Sequence, residues 1–439
     1  MRILRFALML LIVFAVLSFG AVDMCSQSIL EIAAALLLIF WAVIVKTNPE
    51  LKVRWSPLNW PLIGLIAIAG VQLLFRGTAS SYLTRTEILR LFAYFIFFFL
   101  VAQAFRTRKD WLGLAWFLVG LCFAVSLFGI MQHFTSGNEI YWMQSLKADV
   151  KPFGPYVNRN DFAGFVELTL PIGLALIIFR GAHKDMFPLL SLLTVVPIGA
   201  IILSSSRAGI IGLAFEVGVL VLFAVNWSRI SRKRHDSRFR VIGLAVLAAV
   251  LFVAWIGVGH SIDRFTSMSH PEVTLSRRIS MARGAIRIFV AHPLKGCGLG
   301  ALVDVFPLYE TAYDGRVVDH VHNDYLEALA EAGILGAICG ISFLWLLYRE
   351  GRNSLAAEQG QFSRAIHAGA VASVCGLLLH SFVDFNLHIP ANALLFLLEV
   401  SIVVSPPLPP AAGQNSRRSS SLEREGNSVP VPQPAQPTG

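Results

Sequence analysis

MFPLLSLLTVVPIGAIILSSSRAGIIGLAFEVGVLVLFAVN, residues 186–226, consists of two apolar runs separated by a short polar turn. The runs cover residues 186–204 and 207–226, and only the turn around Ser205 and Ser206 lies between them. An α-helix needs roughly 20 apolar residues to cross the hydrocarbon core of a bilayer. Each run is therefore long enough for one crossing, and the stretch predicts two consecutive transmembrane helices.

Similar apolar runs fill most of the 439 residues. Hydrophobic residues make up 56% of the chain and charged residues 14%, whereas soluble proteins contain about 25% charged residues. This composition excludes a soluble enzyme, a disordered chain and a disulfide-stabilised scaffold. The sequence predicts an all-α membrane protein with about twelve transmembrane helices. Their approximate ranges are 3–22, 28–45, 58–75, 87–105, 111–133, 160–180, 186–204, 207–226, 241–259, 332–348, 363–382 and 388–405.

Basic residues indicate how these helices are oriented. With a cytoplasmic N-terminus, the cytoplasmic segments hold 22 Lys and Arg residues and the short outer segments hold 6. Cytoplasmic loops of membrane proteins are enriched in Lys and Arg, so this bias favours that orientation. It places the long loop between the ninth and tenth helices, residues 260–331, outside the cytoplasm. The net charge of +9 follows from the loops, so no nucleic-acid partner is expected.

The chain divides into a polytopic membrane domain, residues 1–405, and a tail, residues 406–439. The tail holds eight of the twenty prolines and few apolar residues, which predicts a disordered cytoplasmic segment. The first apolar run follows Arg2 and Arg5 as in a signal peptide, but a second run follows almost at once. We therefore expect an uncleaved membrane helix. The five cysteines form no Cys-x-x-Cys pair, so no disulfide framework or zinc site is predicted.

The long outer loop is the expected functional region, because it holds five of the eleven histidines. Its segment 276–292 has the spacing of an amphipathic helix. Arg283 and Arg287 lie on the polar face, whereas Arg278 projects on the apolar stripe. A helix at the membrane surface would point Arg278 toward the protein or the lipid headgroups. The alternative is an arginine near a helix end whose guanidinium reaches back to water.

A glycine-rich segment, HPLKGCGLG at residues 292–300, follows this helix. Its alternating glycines permit close approach of the backbone to a ligand, and consecutive amides there could bind an anion. His292, Gly296 and Gly298 are therefore candidates for substrate binding. A simple turn is the alternative.

The segment HVHNDYLE, residues 320–327, leads into the tenth predicted helix. Asn323 or Asp324 can cap that helix, and Glu327 completes an Asp-x-x-Glu capping pattern. His322 then lies just before the helix start, at the outer membrane boundary. This position suits proton transfer or contact with a lipid-linked phosphate. His320 and His322 also suggest a metal site, but two possible ligands without identified partners are weak evidence for one.

Three further features lie on the same side of the membrane or inside it. Arg207 lies between two tightly joined helices, where a charge at membrane depth is often functional but can also cap an interface. Asn158 and Asn160 precede the sixth helix, and N-capping explains them about as well as substrate binding does. Four acidic residues lie within or near apolar runs and could line a polar cavity with partners still unknown. They are Glu167, Glu216, Asp384 and Glu399.

The order of these motifs resembles a known family. The chain contains NRNDFAGF from residue 158, SSSRAG from residue 204, SRR from residue 276, HPLKGCGLG from residue 292 and HVHNDYLEALAEAGILG from residue 320. Together they resemble the O-antigen ligase/polymerase superfamily of bacterial inner-membrane glycosyltransferases. Twelve helices, a cytoplasmic N-terminus and a large loop between the ninth and tenth helices are also similar to that family.

The resemblance implies a substrate and a mechanism. Members of the superfamily use a glycan carried on undecaprenyl diphosphate and transfer it to a lipid or glycan acceptor or to protein. The family's loop histidine corresponds to His322 and is the candidate base. Its loop arginine corresponds to Arg278, and its arginine between helices to Arg207. Ala282 stands where the family usually has an aromatic residue, which leaves Arg277 as an alternative to Arg278.

The remaining expectations complete this hypothesis. No Asp-x-Asp pair occurs in the outer loop, so we expect glycan transfer that needs no metal. We expect no other cofactor. Membrane lipids are expected to surround the protein. The resemblance implies a multi-pass protein of the bacterial inner membrane with both termini in the cytoplasm and the site facing the periplasm. The candidates for substrate binding are Asn158, Asn160, Arg277, His292, Gly296, Gly298, His320 and Asn323.

Several alternatives stay open at this point. The sequence does not distinguish a ligase from a polymerase or from a protein oligosaccharyltransferase, and it does not give the oligomeric state. A transporter or flippase of lipid-linked oligosaccharide is an alternative of another class, as is a scaffold subunit of an envelope assembly. A transporter would be expected to show charged residues spread along its helices.

Overall fold

The computed structural model describes residues 1–137, 139–145, 152–230, 275–311, 313, 315–357 and 360–406. Within these residues the chain forms thirteen α-helices, a few 3-10 turns and one hairpin of two-residue strands, Glu139–Ile140 and Gln144–Ser145. The predicted all-α class is confirmed. The tail from residue 407 and the first part of the outer loop, residues 260–274, lie outside the described residues.

The helices follow the apolar runs of the sequence. They are α1 (Arg2–Leu17), α2 (Met24–Thr47), α3 (Asn59–Leu74), α4 (Ser81–Ala104), α5 (Arg108–Thr135), α6 (Arg159–Ile178), α7 (Phe187–Leu203), α8 (Arg207–Ile230), α9 (Leu275–Ala291), α10 (Leu302–Val305), α11 (Asp324–Ala357), α12 (Gln361–His380) and α13 (Pro390–Val403).

Eight of the described helices are long and apolar enough to cross a membrane, and α3 and α13 are shorter apolar helices. Length and composition thus support a membrane protein. Eleven of the twelve predicted spans coincide with a helix, while the ninth, residues 241–259, lies outside the described residues.

Helix α6 lies at the centre of the bundle, with nearly all of its residues buried. It packs along α12 and also contacts α5, α7, α8 and α13. A Cβ atom added at Gly369 of α12 would lie 2.9 Å from the Cα atom of Ile172 in α6. The two backbones therefore approach as closely as small residues permit in membrane helices. The ends of α6 and α12 are held in fixed positions by this contact.

Helices α7 and α8 are joined by the tight turn that the sequence predicts. Ser205 adopts a positive φ of 57°, and the Ser206 hydroxyl accepts a hydrogen bond from the Gly209 amide at 3.2 Å. Ser206 thereby caps the start of α8. Both helices pack on α6 more extensively than on each other.

Helix α11 starts at Asp324, eight residues before the predicted span at 332, and is broken at Gly333. Gly333 has a φ of 62° and a ψ of −156°, a conformation essentially restricted to glycine. The amides of Ile334 and Leu335 donate to the carbonyls of Pro293 and Leu294 at 2.8 and 3.2 Å. The short outer part of α11 therefore ends at Gly333, and the apolar part begins where the span was predicted.

The glycine-rich segment 292–300 packs into this break. The amides of Cys297 and Gly298 donate to the carbonyls of Ala330 and Glu331 at 2.9 and 3.1 Å. Gly296 has a φ of 72°, and an added Cβ atom there would lie 2.2 Å from the Glu331 carbonyl. These glycines permit close packing of one backbone against another. The structure therefore gives the segment a packing role in place of the expected anion contact.

Replacing Gly333 by alanine is expected to destabilise the protein. The added Cβ atom would lie 2.6 Å from the Leu294 backbone in a conformation that alanine avoids. We expect the free energy of unfolding to fall by about 2–3 kcal/mol, measured as a lower apparent melting temperature in detergent. The control is Gly340→Ala on the same helix, where nothing lies within 4 Å of the added atom. Equal melting temperatures for both variants would contradict the packing argument.

Candidate active site

The segment between α12 and α13, residues 381–389, forms the centre of the candidate site. Its Asp384 side chain is buried and accepts three hydrogen bonds. The donors are His322 Nδ1 at 3.0 Å, Asn160 Nδ2 at 2.6 Å and the Phe385 amide at 3.0 Å. Three distant parts of the chain thus meet at one carboxylate.

His322 lies in the turn directly before α11. Its φ of 52° is uncommon for a residue with a side chain, and such strain is concentrated at functional sites. Its ring is 15% exposed, whereas Asp384 is 1% exposed. Because the ionised carboxylate accepts from Nδ1, the proton is held on Nδ1 and Nε2 remains the nitrogen that can accept a proton. The arrangement is that of a general base oriented by a buried acid.

Asn323 fixes the turn that carries His322. Its Oδ1 atom accepts from the Leu326 amide at 2.9 Å, so Asn323 is the residue that caps α11. Its Nδ2 atom donates to the Phe382 carbonyl at 2.9 Å. The expected Asp-x-x-Glu capping pair does not form, because Glu327 instead accepts from the Val321 amide and contacts His320.

The surroundings of Asp384 favour its ionised form. Burial by itself raises the pKa of the carboxyl group, since desolvation disfavours charge. The hydrogen bond from His322 and the favourable electrostatic effect of the nearby His380 and Arg278 outweigh this effect, and the pKa lies below the ordinary value. Asp384 therefore stays negative at neutral pH and can hold the imidazole in one tautomer.

Arg278 reaches the same segment from α9. Its Nη1 atom donates to the Val383 carbonyl at 2.6 Å, directly beside Asp384. A guanidinium carries five N–H donors, so one bond to a carbonyl leaves donors for a phosphate. Arg277 precedes it by one residue, which places it about 100° further round the helix. The geometry therefore favours Arg278 over Arg277.

Asn160 connects the site to α8. Its Oδ1 atom accepts from the Ser206 hydroxyl at 2.9 Å, and Asn158 caps α6 by accepting from the Asn160 amide at 2.9 Å. Ser206 directly precedes Arg207, the first residue of α8, whose side chain is exposed. A continuous chain of hydrogen bonds therefore runs from Ser206 through Asn160 and Asp384 to His322.

His320 belongs to a neighbouring group. Its Nδ1 atom lies 2.6 Å from Glu327 Oε1, and its ring stacks on Phe385 with centroids 4.4 Å apart. Phe385 also meets the His322 ring edge-on at 4.9 Å. Among the described residues, His320, Glu327 and His388 are close enough together to hold a metal ion. The two histidines of the His-x-His motif thus lie on either side of Phe385 and have different partners.

Not every predicted site residue joins this group. His292 is exposed at the end of α9, and Gly296 and Gly298 pack against α11. We place these three outside the candidate site.

The sequence interpretation did not identify Asp384 and Ser206 as site residues. The available signal was the carboxylate of Asp384 within the apolar run SFVDFNL, at residues 381–387. Of the other buried acids, Glu167 accepts from His380 Nδ1 at 2.9 Å. The carboxylates of Glu216 and Glu399 have no hydrogen-bond partner among the residues that the structure describes.

Replacing Asp384 by asparagine is expected to destabilise the fold in a pH-dependent way. A carboxyl group whose pKa is lowered by folding contributes stability above its unfolded pKa of about 3.9, and this contribution is lost as the pH falls through the folded value. The difference in melting temperature between the wild type and Asp384→Asn should be largest near neutral pH and shrink in acid. The exposed Asp304, replaced by asparagine, is the control. A difference that widens in acid would contradict the charge assignment.

Comparison with known proteins is consistent with this geometry. A family model described as O-antigen ligase matches residues 192–341, which include Arg207, Arg278 and His322. The search of curated proteins found no match. Asn160 and Asp384 lie outside the matched range, on the two sides of it. The resemblance drawn from the motifs is thereby confirmed, since residues 192–341 of this chain match the O-antigen ligase family model.

Proposed function

We propose that this chain transfers a glycan from undecaprenyl diphosphate to an acceptor, as an O-antigen ligase-like enzyme of cell-surface polysaccharide biosynthesis. The family match supports a membrane enzyme of glycosyltransferase type that acts on lipid-linked glycans. The observation that carries the residue assignment is the His322 imidazole held by buried Asp384, with Arg278 bonded to the adjacent carbonyl.

In the proposed reaction, the acceptor hydroxyl attacks the anomeric carbon of the donor sugar. His322 Nε2 takes the hydroxyl proton, and Asp384 stabilises the resulting imidazolium. A new glycosidic C–O bond forms as the bond between the anomeric carbon and the diphosphate oxygen breaks. Undecaprenyl diphosphate leaves with the electron pair, and a single displacement inverts the anomeric centre.

Arg278 and Arg207 are proposed to bind the diphosphate. Negative charge develops on the leaving group as the sugar departs, and fixed guanidiniums stabilise it by charge-assisted, bidentate hydrogen bonds. Two arginines thus supply the charge that many glycosyltransferases obtain from a metal held by an Asp-x-Asp pair. We therefore propose that transfer needs no metal at the reacting atoms.

The proposed setting follows from the basic loops. We place the protein in the bacterial inner membrane as a multi-pass domain over residues 1–405, with the N-terminus and the tail of residues 406–439 in the cytoplasm. The loop of residues 260–331 and the site then face the periplasm, where a donor head group is available after it has crossed the membrane.

Substitution of the base is the direct test. His322→Ala should lower transfer at least about 100-fold, the usual contribution of a general base. Asp384→Asn should lower kcat more than it raises KM, because it affects the orientation of the base and not donor binding. Transfer is measured with purified protein in lipid, an undecaprenyl-diphosphate-linked glycan and an acceptor. His183→Ala, at an exposed loop histidine, is the control. Full activity of His322→Ala would refute the assignment.

The arginines give a second test. Arg278→Ala and Arg207→Ala should each lower transfer at least about tenfold, since each removes one charged partner of the leaving group. Arg278→Lys should recover little, because lysine keeps the charge but lacks the planar fork of donors. Arg283→Ala on the same helix α9 is the matched control and should retain activity. Equal losses at Arg278 and Arg283 would point to the stability of α9 and contradict diphosphate binding.

The acceptor decides between a ligase and a polymerase. The proposed chemistry is the same for both, since only the hydroxyl that attacks differs. If the protein is a polymerase, a strain that lacks its gene still attaches glycan to the acceptor, but only as single repeat units. If the protein is a ligase, that strain attaches no glycan at all. The length of the cell-surface glycans separates the two.

One observation favours a transporter or flippase as a second candidate. Ionisable residues occur inside the helices, with Glu167 of α6 paired with His380 of α12 and with Glu216 and Glu399 buried in α8 and α13. Such residues often line transport pathways. A transporter would move lipid-linked glycan across a vesicle membrane without forming a new bond, and His322→Ala would leave that movement intact.

A further inference from the structure

Three side chains beside the His322–Asp384 pair have the arrangement of metal ligands. His320 precedes α11, Glu327 lies in the first turn of α11, and His388 lies in the turn before α13. One potential ligand atom from each lies within 4.8 Å of the others. We propose that His320, Glu327 and His388 bind a divalent transition-metal ion, with Zn²⁺ the best match; its binding does not require the glycan-transfer reaction, whereas its role at the base rests on the proposed function.

The distances suit a tetrahedral site. Glu327 Oε1 lies 2.6 Å from His320 Nδ1 and 3.3 Å from His388 Nε2. Zinc binds imidazole nitrogen and carboxylate oxygen at about 2.0–2.1 Å, so two tetrahedral ligands lie about 3.3 Å apart. The Glu327–His388 pair already has this separation. The His320–Glu327 pair is closer than this, so metal binding requires the His320 ring to move away from Glu327.

Neighbouring hydrogen bonds orient two of the three ligands. His388 Nδ1 donates to Asp324 Oδ1 at 2.8 Å, which turns Nε2 toward Glu327. Glu327 Oε2 accepts from the Val321 amide at 3.0 Å, which leaves Oε1 for the metal. A histidine ligand held by a carboxylate through its other ring nitrogen is the usual support of a zinc site.

Burial and ligand type select the metal. Glu327 is 1% exposed, whereas the side chains of His320 and His388 are 27% and 19% exposed. An ion can therefore enter from the solvent side, and a water molecule can fill the fourth position. Two imidazoles with one carboxylate suit Zn²⁺ and its neighbours in the transition series, while Mg²⁺ and Ca²⁺ prefer oxygen ligands.

The site would hold the two halves of the base assembly together. His320 is two residues before His322, and His388 is four residues after Asp384. A metal bound to both therefore fixes the distance between the turn that carries the base and the segment that carries its acid. The proposed ion touches no reacting atom, and its role is to position His322.

Metal content of the full-length protein tests the proposal. The protein is purified in detergent with a tag that contains no histidine, incubated with Zn²⁺ and separated from free metal, and its zinc is measured by mass spectrometry. We expect about one zinc per wild-type chain and at least tenfold less in His320→Ala and His388→Ala. His183→Ala, at an exposed histidine outside the cluster, should keep the wild-type content.

A second measurement distinguishes loss of the metal site from misfolding of the variants. Co²⁺ loaded in place of zinc should give the visible absorption of a tetrahedral nitrogen–oxygen site in the wild type, and the conservative variant Glu327→Gln should weaken or shift it. Folded wild-type protein that binds no zinc, or equal zinc in the wild type, His320→Ala and His388→Ala, would overturn the proposal and leave an ion-pair cluster. No glycan donor is present in these measurements, so their outcome is independent of the proposed transfer activity.

Discussion

The buried carboxylate of Asp384 is the constraint on which the candidate site depends. A charged group removed from water is costly unless hydrogen bonds and opposite charges compensate it. In this fold the compensation comes from His322, Asn160 and the Phe385 amide, with Arg278 bonded to the next carbonyl. Loss of any one of these partners would leave the carboxylate less fully compensated. The same interaction that satisfies Asp384 therefore also assembles the site.

Two residues with unusual backbone angles lie in turns that lead into the candidate site. Ser205 and His322 both have positive φ values, and each lies two residues before the first residue of a helix. Such conformations cost of order 1–3 kcal/mol and persist only where the surroundings enforce them. Here the surroundings are the Ser206–Asn160 bond on one side and the Asn323 cap on the other.

Long apolar runs were sufficient to predict most helices, because the bilayer imposes a minimum length and excludes polar interruptions. The same reasoning predicted the start of α11 eight residues too late, because the break at Gly333 separates a more polar first part of the helix from the apolar span. The motif histidine and arginines were found because they stand outside the apolar runs, in a loop, in an amphipathic helix or at a helix start. Asp384 could not be assigned a partner, since its contact with His322 joins residues far apart in the chain. The amides of Cys297 and Gly298 show the opposite case. The sequence suggested that they could bind an anion, whereas in the fold they donate to carbonyls of α11.

Buried acidic side chains in the bundle fix how the helices that carry the site align with one another. A Cβ atom at Gly212 of α8 would lie 2.2 Å from Glu167 Oε1, and one at Gly376 of α12 would lie 2.2 Å from Glu216 Oε1. The glycines therefore leave space for the carboxylates where the helices cross. If one helix moved along its axis, the carboxylate would meet a larger side chain. Glu167 also binds His380, the last residue of α12.

This pairing fixes the point at which the chain leaves α12 and enters the segment that carries Asp384. Because α6 contributes both Glu167 to the interior pair and Asn160 to the site, one central helix sets the positions of both. A charge pair inside a membrane bundle is a weak source of stability but a strong source of specificity, since misaligned helices would leave each charge alone in hydrocarbon. The geometry at the site's end of the bundle therefore depends on the Glu167–His380 pair in its interior.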